Sequence, residues 1–240
     1  MRIGILVPMA AEIKTYQKQL LAVKTSKIAG VVFSQGKLRD QEVDLVVAQS
    51  GIGKVQAAMT ATLLCGHFDV DVLLNTGSAA GVDSDLQIGE LVLGEQVTAH
   101  DVDVHQSGGY PRGQLPGQPR FFKADQTLLS ICARTAQQLG LTMTTGLIAS
   151  GDQFIGTTGE IKTVKHFFPR VQALEMEGAA VAQVAANFDC PCLIIRAISD
   201  NGDETAAVDF DTFVVKAGRQ AATLLLAAIP AISASFNHRN

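Results

Sequence analysis

Short apolar runs of strand length recur along the chain, and most are separated by stretches of helical composition or period. Arg2–Pro8, Val43–Ala48, Val70–Leu74, Thr142–Ala149, Val171–Leu174 and Pro191–Ile198 read as strands, rich in Val, Ile and Leu. Val31–Gln35 and Glu90–Ala99 read as two more. Ala10–Ala22, with Ile13, Tyr16 and Leu20 on one face, reads as a helix, as do Lys54–Cys65, Ala124–Leu139 and Thr158–Phe168. Gly178–Asn187 and Phe210–Ile229 complete the helices, the last broken near Pro230. Strands that are apolar throughout, alternating with helices, fit a sheet covered on both faces. The expected fold class is α/β. No linker or repeat interrupts the pattern, so residues 1–232 are expected to form one domain, followed by a frayed polar tail at 233–240.

Composition removes several kinds of function. The net charge is −4 with both signs interspersed, and no basic stripe exists for neutralising phosphates, so no nucleic-acid partner is expected. Trp is absent and aromatics make up 5% of residues, too few for a surface that stacks on sugars or single strands. Cys65, Cys132, Cys190 and Cys192 lie in apolar contexts. Cys190-Pro-Cys192 lacks the spacing and the second pair of a metal site, and its thiols fit the core of a cytoplasmic protein. Ile3–Pro8 is too short for a secretory signal. No run of 18 uncharged apolar residues is evident, so no membrane span is expected.

Three acidic positions sit where a strand-like run stops. Arg2–Pro8 leads into Met9 and Glu12, Val171–Leu174 into Glu175-Met176-Glu177, and Cys192–Ile198 into Ser199-Asp200. Ligands of α/β sheets bind outside the carboxyl ends of strands, so the three point to one acid-rich site. Such a site can hold sugar hydroxyls, protonate a leaving group and deprotonate water. Glu177 opens a helix, where negative charge is favoured. That leaves Glu175 and Met176 unexplained, and two carboxylates beside a sugar with Met176 packed on it would explain both. Arg196, in an apolar strand, requires a partner. Asp200 suits a partly buried acid with a raised pKa, able to donate a proton near neutral pH.

The remaining polar segments are less specific. Ser50-Gly-Ile-Gly-Lys54 lacks the full spacing of a phosphate loop and reads as a tight turn, with Ile52 open to a ligand. Asn75–Gly81 reads as a strand-end loop whose small residues let backbone amides face a ligand. Phe154 offers an aromatic face in another strand-end loop. His100-Asp-Val-Asp-Val-His105 places its two histidines on opposite faces, so no metal site is expected. His100–Phe122 is long and aperiodic, as binding loops and lids are.

Taken in order, Ile3-Gly-Ile-Leu with Met9 and Glu12, Ser50-Gly-Ile-Gly-Lys-Val55, Asn75-Thr-Gly-Ser-Ala79 and Gly113-Gln-Leu-Pro-Gly117 form the first half of a family pattern. Phe122-Lys-Ala-Asp125, Gly146-Leu-Ile with Ser150-Gly-Asp152, Glu175-Met-Glu177 and Arg196-Ala-Ile-Ser-Asp200 form the second. This ordered set resembles the purine/uridine phosphorylase-like superfamily, and within it the 5′-methylthioadenosine/S-adenosylhomocysteine nucleosidases. The resemblance implies a three-layer α/β/α sandwich with a central mixed, twisted sheet, a homodimer, and no cofactor or metal. It implies hydrolysis of the N-glycosidic bond of methylthioadenosine and adenosylhomocysteine, releasing adenine.

By the same resemblance, Glu12 is the base for water, and Asp200 is the acid on adenine N7, aided by Ser199 and backbone near Phe154 and Ile155. Glu177 and Met176 hold the ribose, Arg196 and Ser78 belong to the supporting polar network, and Met9, Ile52 and Phe210 line the pocket. The chain departs from the family in Val104–Tyr110, which is poor in aromatics, and in Ala80, where the family usually has glycine. One rival is a phosphorylase on the same fold. The absence of Arg and Lys from Val7–Glu12, and Asn75 where such enzymes tend to carry arginine, favour hydrolysis. Hydrolysis of another 5′-modified adenosine, such as aminofutalosine, stays open, and a non-catalytic nucleoside sensor is disfavoured by the retention of all three acids.

Overall fold

Side chains in β1 (Arg2–Val7) alternate between two cores, Ile3, Ile5 and Val7 entering one and Leu6 the other. The same split governs β5 (Val72–Gly81) and β10 (Cys192–Asp200), where Leu74 and Ile195 face one core and Leu73 and Ile194 the other. A strand buried on both faces has no polar alternation, which is why these runs read as continuously apolar. The computed structural model describes residues 1–39, 41–83 and 85–236.

The remaining elements follow in chain order. After β1 come α1 (Ala10–Gln17), β2 (Leu20–Ile28), β3 (Val31–Leu38), β4 (Asp44–Gln49) and α2 (Lys54–Gly66). Beyond β5 lie β6 (Leu91–Ala99), a 3-10 turn at His105–Ser107, β7 (Phe122–Lys123), α3 (Gln126–Gln138) and β8 (Met143–Ser150). The chain ends with α4 (Thr158–Phe167), β9 (Val171–Glu175), α5 (Gly178–Asn187), β10 and α6 (Ala206–Phe236). The strands form one mixed sheet. β1 runs parallel to both β4 and β5, and β5, β10, β6, β8 and β9 pair in a closed ring. Helices α1, α3 and α6 cover one face, and α2 and α5 the other. The result is a three-layer α/β/α arrangement around the mixed sheet.

Three sequence-based boundaries change. The helix read over Ala10–Ala22 stops at Gln17, and Leu20–Ile28 is instead an edge strand paired with β3. Most of β2 is exposed on both faces, so it carries no alternation to reveal it. Leu20 still joins Ile13 and Tyr16 in the same core, reached through a different element.

Asn75–Gly81 is strand, not loop. β5 pairs with β1 over Val72–Asn75 and with β10 over Leu73–Ala80, and its end pairs with β9 at Ala80 and Gly81. The last helix runs through Pro230 to Phe236, so Ser233–Phe236 are ordered helix rather than frayed tail. A helix-interior proline costs about 3 kcal/mol. Ala228, Ile229, Ile232 and Phe236, all buried in the core, hold the helix on the sheet to either side of it. The tail positions 237–240 lie outside the described residues.

By length and composition alone Thr212–Phe236 would pass as a membrane-crossing helix, although it carries Lys216 and Arg219 and so is not an uncharged run. Its apolar face is occupied by packing, since Ala221, Leu224, Leu225 and Ile229 are fully buried against the sheet.

Candidate active site

Four strand ends meet at one place. Ala80 of β5 pairs with Leu174 of β9, Asp200 of β10 pairs with Ala80, and Ser150 of β8 pairs with Glu175 of β9. Around them lies a cavity of about 330 Å³, walled by Met9, Ile52, Ser78, Phe154, Met176 and Asp200 among others.

Glu12 is in the first turn of α1 and is 1% exposed. One carboxylate oxygen accepts the Met9 N–H at 3.0 Å and the other the Ser78 N–H at 3.1 Å. Both donors line the cavity, so Glu12 stands just behind its wall. Burial pushes its pKa up from 4.5 to about 7, against the pull of the Met9 bond, the Arg196 charge and Ser78. A carboxyl poised near 7 can take a proton from water at neutral pH.

Its placement depends on Gly218 in α6, where a Cβ would come within 2.7 Å of Glu12 Cγ. Glu12 cannot swing away without losing its two amide donors. Gly218→Ala is therefore expected to lower kcat about tenfold and destabilise the fold by about 1–3 kcal/mol, the usual range for overpacking. Steady-state kinetics and urea titration measure both, and unchanged kcat would remove Gly218 from this role.

Arg196 finds its partner in Glu175. Its guanidinium is fully buried; Nε donates to Glu175 Oε2 at 3.1 Å, and Nη2 pairs with the same oxygen and with Asn75 Oδ1 at 2.6 Å. Glu175 also accepts the Ser150 hydroxyl and the backbone N–H groups of Glu177 and Gly178 at 2.8–3.0 Å. Glu175 touches the cavity wall, but its carboxylate is engaged inward. This corrects the reading of two carboxylates offered to a sugar, because only Glu177 is left in that position. Glu177 Oε1 accepts the Gly53 N–H at 2.9 Å, and Oε2 lies 3.6 Å from Arg196. Burial, then repulsion from Glu175, pushes Glu177 up to about 7, while Arg196 and the Gly53 bond oppose the rise.

Asp200 ends β10 and is 2% exposed. Oδ1 accepts the Gly202 N–H at 2.9 Å, and Oδ2 accepts the Ser199 hydroxyl at 2.8 Å. The same hydroxyl reaches the Ala79 carbonyl at 3.3 Å. Ser199 can donate to an ionised Asp200, or turn to Ala79 and accept from a protonated one, so both states have partners. At the mouth, Phe154 and Phe210 meet edge to face with centroids 5.9 Å apart. Ile52 and Phe154 are about half exposed there, apolar surface suited to a flat ligand.

Met9, Ile52, Ser78, Phe154, Ile155, Glu175, Met176, Glu177, Ser199, Asp200 and Phe210 thus all line one cavity. Glu12 and Arg196 lie behind its wall. Pro8, Ala79, Ala80, Gln153 and Leu174 also line it and carry no chemical signal in sequence. Ser150, whose hydroxyl bonds Glu175 and accepts the Ala179 N–H at 2.7 Å, was legible only as part of a loop. His100-to-His105 is occupied otherwise, with Asp101 bonded to Lys54 and Asp103 to His105.

A family model described as the phosphorylase superfamily matches residues 2–230. A 5′-methylthioadenosine/S-adenosylhomocysteine nucleosidase of Geobacillus kaustophilus is 42% identical over 227 residues, covering 94% of this chain and 95% of that one. The nucleosidase of Neisseria meningitidis, solved with methylthio-immucillin-A, superposes with a TM-score of 0.92 at 34% identity, covering 96% of this chain and 99% of that one. A futalosine hydrolase of Helicobacter pylori gives a TM-score of 0.92 at 32% identity, covering 96% and 98%.

Proposed function

The chain belongs to the phosphorylase superfamily, and we propose that it hydrolyses the N-glycosidic bond of 5′-methylthioadenosine and S-adenosylhomocysteine to release adenine. It is a purine nucleosidase. The observation that carries the hydrolytic reading is the charge of the cavity. Glu175, Glu177 and Asp200 line it, Glu12 stands behind Met9 and Ser78, and no Arg or Lys is among the described residues that line it. The Arg196 guanidinium is held by Glu175 and Asn75 behind the wall. A phosphate dianion would meet acids and no free cation there.

Breaking the C–N bond builds positive charge on the ribose and negative charge on the base. Asp200 protonates the purine at N7, with Ser199 changing partner as the proton leaves. Glu177 accepts from the ribose hydroxyls, and Met176 packs on the sugar. Glu12 takes a proton from the attacking water on the other side of the ring. The developing oxocarbenium charge is favoured by carboxylates that burial has deprived of solvent. Phe154, Phe210 and Ile52 cover the base and the mouth.

Hydrolysis of a futalosine-type nucleoside is the second reading, favoured by the H. pylori likeness and by the exposed mouth at Ile52 and Phe154. Product analysis with methylthioadenosine, adenosylhomocysteine and aminofutalosine separates the two. Adenine from the first two is expected. Cleavage of aminofutalosine alone would favour the second reading, and tight binding without release would favour a sensor.

The assembly is read as a homodimer. A groove of about 290 Å³, walled by Val55, Ala58, Val102, Leu115, Pro119 and Ala180 among others, joins the α2–α5 face to the His100–Phe122 loop. Val55 there is 78% exposed. Light scattering tests this, and a fully active monomer would contradict it. The free thiols of the four cysteines support a cytoplasmic location.

A further inference from the structure

Glu177 accepts a backbone N–H from the Ser50–Lys54 turn, whose first two residues are tied to the end of β1 by the Ser50 and Gly51 N–H groups on the Val7 and Pro8 carbonyls at 2.9 and 3.1 Å. Gly53 sits at φ +97°, a backbone conformation that L side chains rarely adopt, and its N–H points at Glu177 Oε1 from 2.9 Å. What fixes the turn's second half, at Gly53 and Lys54, is a charged cluster on the far side. Lys54 Nζ bonds both oxygens of Asp101 at 2.6 and 2.7 Å and lies 3.7 Å from Asp152 Oδ2. The Lys54 N–H donates to Asp152 Oδ1 at 2.8 Å, and the Asp152 N–H donates to Asp101 Oδ2 at 3.0 Å. Three separate segments are locked together: the start of α2, the loop after β6 and the loop after β8. Lys54 and Asp101 are each about one-fifth exposed, so solvent screens the pair only in part.

We propose that Lys54, Asp101 and Asp152 are positioning residues that hold the Gly53 N–H against Glu177, and thereby hold the ribose-binding carboxylate in place. The inference rests on Glu177 being the ribose contact of the nucleosidase reading, but its physical core concerns the unliganded chain alone. A hydrogen bond donated to a carboxylate favours the charged form. If the cluster is broken, the turn relaxes, Glu177 loses that donor, and it holds its proton to higher pH.

The test is a carboxyl-carbon NMR titration of the unliganded protein, with Glu177 and Glu12 assigned by Glu177→Gln and Glu12→Gln. It is run on wild type, Lys54→Met, Lys54→Arg and Asp152→Ala. In Lys54→Met the Glu177 midpoint should rise by about half a pH unit or more. KM for methylthioadenosine should rise about tenfold, the order of one lost hydrogen bond to a charged group, with a smaller change in kcat. Lys54→Arg should recover most of both. Asp152→Ala removes a half-exposed side chain and only part of the cluster, so it decides the matter if Lys54→Met does not fold.

A wild-type midpoint in a folded Lys54→Met or Asp152→Ala protein overturns the inference, as does a loss of kcat with Glu177 unmoved. If wild type releases no adenine, the nucleosidase reading fails, while the titration still decides this one.

Discussion

Asp200→Asn and Glu12→Gln are each expected to lower adenine release by about a hundredfold or more, with the fold retained, because each removes a proposed proton-transfer group. The two differ in their pH behaviour. In wild type, kcat/KM falls below about pH 7 as Glu12, whose pKa burial raises to about 7, takes up a proton and ceases to be a base. In Glu12→Gln that limb is lost.

Stability moves the other way. Between the ordinary 4.5 and about 7, the folded carboxyl keeps a proton that the unfolded chain has released. The contribution of this group is complete below 4.5 and is lost as pH rises through about 7. Glu12→Gln is therefore expected to stabilise the protein at pH 8 and to do little at pH 5. Thermal unfolding at the two pH values, alongside turnover, measures this. Near-wild-type rates in either variant remove that residue from its role.

Arg196→Met is expected to lose about 3–5 kcal/mol, the range for removing one partner of a buried ion pair. The guanidinium is fully buried and is shared between Glu175, Asn75 and the Ile195 carbonyl. Without it, Glu175 is left as an uncompensated buried charge, and Glu175 in turn organises the amides that open α5. Lysine is not a conservative replacement, since a single ammonium cannot reproduce this fork. The double variant Arg196→Met, Glu175→Gln should recover part of the loss by removing both charges. Urea unfolding tests the pair, and a single-variant loss below about 1 kcal/mol would show the network to be incidental.

What was legible in the sequence was what burial imposes. Strands buried on both faces announce themselves as apolar runs, and the acids at their ends stand out by contrast. This is how Glu12, Glu177 and Asp200 could be grouped before their geometry was known. β2 was not legible because it is an exposed edge strand, and Asn75–Gly81 was misread because its small, hydroxyl-bearing residues imitate a turn. The inward engagement of Glu175 follows from its nearness to Arg196, Ser150 and the α5 amides, contacts made across 2 to 25 positions. No local pattern encodes such a choice between two neighbouring glutamates. Gly218 was invisible for the same reason: its role is the space it leaves for a residue 206 positions earlier.

The most direct measurement is kcat/KM for methylthioadenosine in phosphate-free buffer and again with phosphate added, with the sugar product identified. With the proposed acid Asp200 and base Glu12, and no Arg or Lys among the described residues lining the cavity, the expected products are adenine and free methylthioribose, at a rate that phosphate does not raise. Turnover that requires phosphate, or a sugar 1-phosphate as product, would contradict the account.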